Sequence, residues 1–142
     1  MKYLLLALLL NGIIFANENK ELSAEVRGLL IQEMQAVKQG MDDILFGIVS
    51  NDYGNIASVA TKIHNSFILK QKLTKKQRKE LQTKLPKDFF TQDQAFHKRA
   101  EDLANTAEFA DKKETLIIYA SMINQCVKCH ETYATHKFNY DD

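Results

Sequence analysis

The sequence predicts an all-α protein, an antiparallel up-down-up-down four-helix bundle, on three observations. The chain of 142 residues holds one proline, Pro86. No run of alternating apolar and polar residues is bounded by hairpin turns, so strands lack their period-2 pattern. Apolar residues instead recur at spacings of three and four, the repeat that builds one face of a helix.

The first helix is expected from about Glu21 to Val49, with Leu30, Met34, Val37, Met41, Ile44 and Ile48 forming one stripe. A polar turn, Ser50 to Gly54, ends it. The second, from about Asn55 to Lys72, presents Ile56, Ala60, Ile63 and Phe67 in the same register. Leu73 to Lys87 forms the long connection, with a short helix opened by a Thr74/Gln77 capping box and closed before Pro86. The third helix spans about Asp88 to Ala110 and is rich in alanine: Ala95, Ala100, Ala104, Ala107 and Ala110. Small side chains there make room for a flat cofactor, or simply reflect alanine's helix propensity. The fourth begins at Asp111, capped by that side chain with Glu114 reaching back, and turns Ile118, Met122 or Ile123, Cys126, Cys129, His130 and Tyr133 inward. Two short joints and one longer connection suit the antiparallel bundle.

The N-terminus reads as a secretory leader. Met1-Lys2 precedes an apolar run, Tyr3 to Ala16, broken only by Asn11 and Gly12 and followed by polar Asn17 to Lys20. The run is shorter than the roughly 20 residues of a membrane span. Residues 1–16 are therefore expected to be cleaved, the rival being an uncleaved anchor, and residues 17–142 to form one domain in the periplasm. The basic and acidic residues, 19 and 18, come into balance once Lys2 is removed with the leader. Nucleic-acid binding, which requires a basic excess, is not expected. The stretch from Lys70 to Lys87 is locally basic and is read as solvated charge before a docking patch for an acidic partner or a membrane surface.

Both cysteines stand in one motif, Cys126-Val127-Lys128-Cys129-His130. C-x-x-C-H is the spacing for covalent haem attachment: two thiols bond one porphyrin and the adjoining imidazole ligates its iron. Positions i, i+3 and i+4 leave one helix face together. The rivals are a buried C-x-x-C with an incidental histidine, and half of a zinc site completed by His64, His97 or His136, none of which has ligand-like spacing. His64 and His97 are expected as boundary residues with a hydrogen bond.

A four-helix pattern behind a leader, with this motif on the last helix, resembles the cytochrome c prime family and its low-spin relatives across the whole mature chain. The resemblance implies one covalent haem c, with Cys126 and Cys129 as thioether attachments and His130 as the proximal iron ligand. Ile31-Gln32-Glu33-Met34 to Met41 is similar to the segment where that family presents the distal side of its haem. Met34 and Met41 are about 10 Å apart along the axis, so one at most meets the iron. Met34 is the nearer in level, and by position it resembles the distal ligand of the low-spin members. High-spin members carry another apolar residue there and leave the iron five-coordinate. Arg27, one heptad before Met34, is expected to reach a haem propionate or to stand exposed at the helix start.

The expected function is one-electron transfer with redox partner proteins and no enzymatic turnover. The alternative is reversible capture of a small diatomic gas, nitric oxide or carbon monoxide, at an open distal position. A weaker reading, an enzyme acting on peroxide or nitrogen oxides, lacks a distal acid, base and arginine. A homodimer through the first two helices is compatible with the pattern.

Overall fold

The computed structural model describes residues 21–135 and residue 137, and all secondary structure there is helical. The expected leader and His136 lie outside the described residues.

Helix α1, Ala24–Ser50, starts where Ser23 Oγ accepts the Val26 amide and stops at Asn51, whose left-handed φ of 56° breaks the helix. Helix α2, Tyr53–Asn65, is capped by Asp52, which accepts the Asn55 amide at 3.0 Å. It ends seven residues before the expected Lys72. Phe67 leaves the helical region and opens a single 3-10 turn, Ile68–Lys70, which buries both Phe67 and Ile68. Helix α3, Lys75–Lys84, carries the expected capping box in full, Thr74 and Gln77 each bonding the other's backbone. Pro86 caps α4, Lys87–Glu108, and Ala110 turns the chain with a φ of 53°. Asp111 then accepts the Glu114 amide at 3.0 Å to open α5, Lys112–Tyr133.

The four long helices share one core, led by Ile44, Ile56, Leu103 and Met122, all fully buried. Each such side chain contributes about 1.5–3 kcal/mol relative to exposure. The most extensive packing joins α2 to α4, where Ala100, Ala104 and Ala107 are buried; these alanines let two helices close on one another. Gly40 and Gly47 do the same for α1 against α2. A Cβ at Gly47 would lie 2.8 Å from Ile56 Cγ1, and one at Gly40 would lie 2.9 Å from Ile63 Cδ1. A second, smaller core joins Val26 of α1 to Phe67, Ile68 and Leu81 beneath the connection.

The inward face of α1 is rotated from the expected stripe. Val37, Met41 and Ile44 are buried as expected, but Glu33, Gly40 and Gly47 join them, whereas Met34 is 40% exposed.

Candidate functional site

Cys126, Cys129 and His130 lie on the last two turns of α5, each half-buried, and both thiols are free. At 100° per residue, Tyr119, Cys126 and His130 fall within about 20° of one line along the helix. Tyr119 marks where that line points, since its hydroxyl donates to the Met41 carbonyl of α1 at 3.2 Å. Phe89 of α4 stacks edge-on against Tyr133 at 5.3 Å, so the same end of α5 also borders α4.

From the Tyr119–Met41 contact the two antiparallel helices can be read in register. Seven residues onward along α5 is Cys126 and seven residues back along α1 is Met34, each step about 10 Å. Met34 shares the face of Met41, yet Met41 is 8% exposed and Met34 40%. The seam between α1 and α5 therefore opens beyond Tyr119, at the level of the two cysteines. Near that level Ile31 and Met34 of α1 and Ile123 and Val127 of α5 are exposed. Arg27 lies farther toward the start of α1, where its guanidinium donates to the Leu22 carbonyl at 3.3 Å and faces Glu21 at 3.7 Å. A groove of about 390 Å³ between α4 and α5 opens on the opposite, polar side of α5, lined by Gln92, Ala95, Gln125, Lys128, Glu131 and Thr132.

Burial pushes both thiols up from their ordinary range, with Asp93 adding to the effect at Cys129. A disulfide-exchange pair requires a depressed thiolate, so this environment argues against that chemistry. Burial and Lys137 lower the pKa of His130, favouring the neutral imidazole that ligates a metal. Among the described residues, neither thiol gathers with other histidines or carboxylates into a zinc set.

His64 is the half-buried boundary residue expected, with one hydrogen bond, whereas His97 is not a boundary residue. His64 Nδ1 donates to the His97 carbonyl at 3.0 Å. His97 itself is 2% exposed, and its Nδ1–H donates to the Ile63 carbonyl at 2.6 Å. That bond turns Nε2 toward Glu33 Oε1 and Asp93 Oδ1, each at 3.5 Å. Burial opposes a charge on His97, but the two carboxylates outweigh it and hold the pKa up at about 9. Burial likewise raises Glu33. Sequence reasoning passed over Glu33 and Asp93; the available signal was Asp93 and His97 at i, i+4 on an otherwise apolar face.

Comparison with protein-family models, with curated proteins and with solved structures returned no match to this chain.

Proposed function

We propose that this chain is a periplasmic monohaem c-type cytochrome of the four-helix-bundle kind, exchanging single electrons with redox partner proteins. The observation that carries the reading is the C-x-x-C-H motif on α5, with Cys126 and His130 on the line that meets α1 at Tyr119 and exposed apolar side chains of both helices near that level. The residues fit the group. Cys126 and Cys129 are free thiols on neighbouring turns, suited to two thioether bonds, and His130 supplies a neutral imidazole beside them. Bound haem supplies a reversible ferrous–ferric couple.

The protein's own part is to hold, bury and tune. Ile31, Met34, Ile123 and Val127 offer apolar cover that displaces water from a flat ring and recovers their own exposed surface. Met34 is the candidate distal ligand, a soft thioether at the level of Cys126. Arg27 needs only to leave its exposed contacts at Leu22 and Glu21 to meet a propionate.

One observation favours the second reading, gas capture at an open distal position. The inward place on this turn of α1 belongs to Glu33, so Met34 has to swing from the surface to reach an iron.

Visible spectra of the purified oxidised and reduced protein, before and after carbon monoxide, test both readings. A low-spin spectrum with a methionine-to-iron band, indifferent to the gas, supports electron transfer. High-spin features with ready gas binding support the second reading. Colourless material from a host able to attach haem, with the intact mass of the bare polypeptide, overturns both.

A further inference from the structure

We propose that Glu33, Asp93 and His97 form a second metal site, separate from the haem motif, that takes a divalent first-row transition ion such as zinc. The three side chains come from different turns of α1 and α4 and meet inside the protein, at 3%, 9% and 2% exposure. Their candidate ligand atoms all lie within 4.8 Å of one another.

The unmet polar atoms point to an occupant. Both Glu33 carboxylate oxygens, Asp93 Oδ2 and His97 Nε2 are buried without a partner in hydrogen-bond geometry. Buried polar atoms are ordinarily paired, because an unpaired one forfeits its hydration with nothing in return. Here the side chains that carry such atoms converge, one ligand atom from each of the three lying within 4.8 Å of the others. The rings of Phe67 and Phe96 each lie 5.6 Å from the His97 ring, so the surroundings are apolar.

Geometry and charge select the ligand. Bonds of about 2.0–2.1 Å to a tetrahedral ion set its ligand atoms about 3.3–3.4 Å apart. The two separations from His97 Nε2, 3.5 Å each, are close to that and long for hydrogen bonds. The Nδ1–H of His97 is fixed on the Ile63 carbonyl at 2.6 Å, the outer bond that orients a metal-binding imidazole and leaves Nε2 for the ion. The ion displaces the proton that the carboxylates hold on His97 Nε2, which leaves to solvent, and two carboxylates with the resulting neutral imidazole balance a 2+ charge, which suits a dry interior. One nitrogen and two oxygens favour zinc, iron(II), cobalt or manganese over copper(I), whose soft sulfur ligands are missing. With three protein ligands, the fourth position falls to water.

The site borders the haem motif, since the Asp93 charge acts on Cys129. A bound cation there would raise the potential of a neighbouring redox centre, a consequence that rests on the haem reading; the metal site itself does not.

The test uses the mature protein as purified, stripped with a chelator, desalted and titrated with zinc chloride. Zinc and iron per chain are measured by mass spectrometry, with calorimetry for affinity. One zinc per chain is expected, together with a higher melting temperature. Glu33→Gln, Asp93→Asn and His97→Gln are each expected to weaken binding by about a hundredfold or more, and the surface variant Glu101→Gln to leave it unchanged. Absence of stoichiometric zinc in the unsubstituted protein overturns the proposal whether or not the variants fold. Undiminished binding in all three folded variants overturns it equally. Colourless protein that still takes up one zinc would remove the haem reading and leave this one standing.

Discussion

Replacing Met34 with alanine separates packing from ligation, because the two roles respond in different measurements. Complete burial of a methionine contributes about 1.5–3 kcal/mol. Met34 keeps 40% of its exposure, so its loss bounds the packing cost in the haem-free fold at about 1–2 kcal/mol. Met122, on α5, is fully buried in the main core, and Met122→Ala should cost about 2–5 kcal/mol through the cavity it leaves. Ligation reverses the order of the two variants in the visible spectrum. Met34→Ala should abolish the methionine-to-iron band of the oxidised protein, shift the iron to high spin and open the ferrous form to carbon monoxide. Met122→Ala should keep the band despite its lower melting temperature. Paired thermal melts and spectra on the same preparations make the comparison. A Met34→Ala spectrum indistinguishable from that of the unsubstituted protein would remove this residue from the iron, and with it the register drawn from the Tyr119–Met41 contact.

Replacing both Cys126 and Cys129 with serine should leave an intact mass equal to the bare polypeptide, with helical circular dichroism retained; covalent haem on that variant would refute the attachment assignment. Arg27→Gln should lower the reduction potential if the guanidinium neutralises a propionate, and an unchanged potential would return Arg27 to the exposed helix start. Gly47→Ala gains about 1 kcal/mol in helix propensity but forces a Cβ to within 2.8 Å of Ile56 Cγ1, where overpacking costs about 1–3 kcal/mol. Gly40→Ala meets Ile63 Cδ1 at 2.9 Å and Cγ1 at 3.0 Å, slightly farther off and partly at the flexible end of the side chain, and should be the milder change. Denaturant melts should rank Gly47→Ala below Gly40→Ala, and a stabilised Gly47→Ala would contradict the close approach of α1 to α2.

Helices were legible because their signals are local. The spacing of Ile56, Ala60 and Ile63, the Thr74/Gln77 box and the Asp111 cap each depend on residues within a turn or two, and all three appear in the structure. The motif at Cys126 to His130 was equally local. The inward face of α1 was not, because counting apolar residues gives glycine no weight. Gly40 and Gly47 set the contact with α2, and that contact rotates Glu33 inward in place of Met34. The polar cluster escaped notice for a related reason: a buried glutamate is intelligible only with its partners, and Asp93 and His97 lie some 60 residues away in the chain. The early end of α2 likewise answers to tertiary demand, since Phe67 and Ile68 complete a core with Val26 and Leu81 that an unbroken helix would forgo.

The same second core accounts for the open seam. The N-terminal half of α1 is held from the side of the connection. Val26 packs on Ile68 and Leu81, and the Ser23 amide donates to Glu80. Gln77 donates to Glu25 at 2.7 Å, and Lys84 to the Glu21 carbonyl at 2.7 Å. The C-terminal half is held close to α2 through Gly40 and Gly47, and meets α5 at Tyr119. Between these anchors, α1 passes the cysteines of α5 with Ile31 and Met34 exposed. A flat apolar ring bonded to α5 at that level would cover them without disturbing either anchor, since neither the glycine contacts nor the α3 contacts lie on that face. Attachment should accordingly raise the melting temperature while leaving helix content nearly unchanged, measured on haem-loaded protein against the double serine variant. A large gain in helix on attachment would mean that the seam is not preformed.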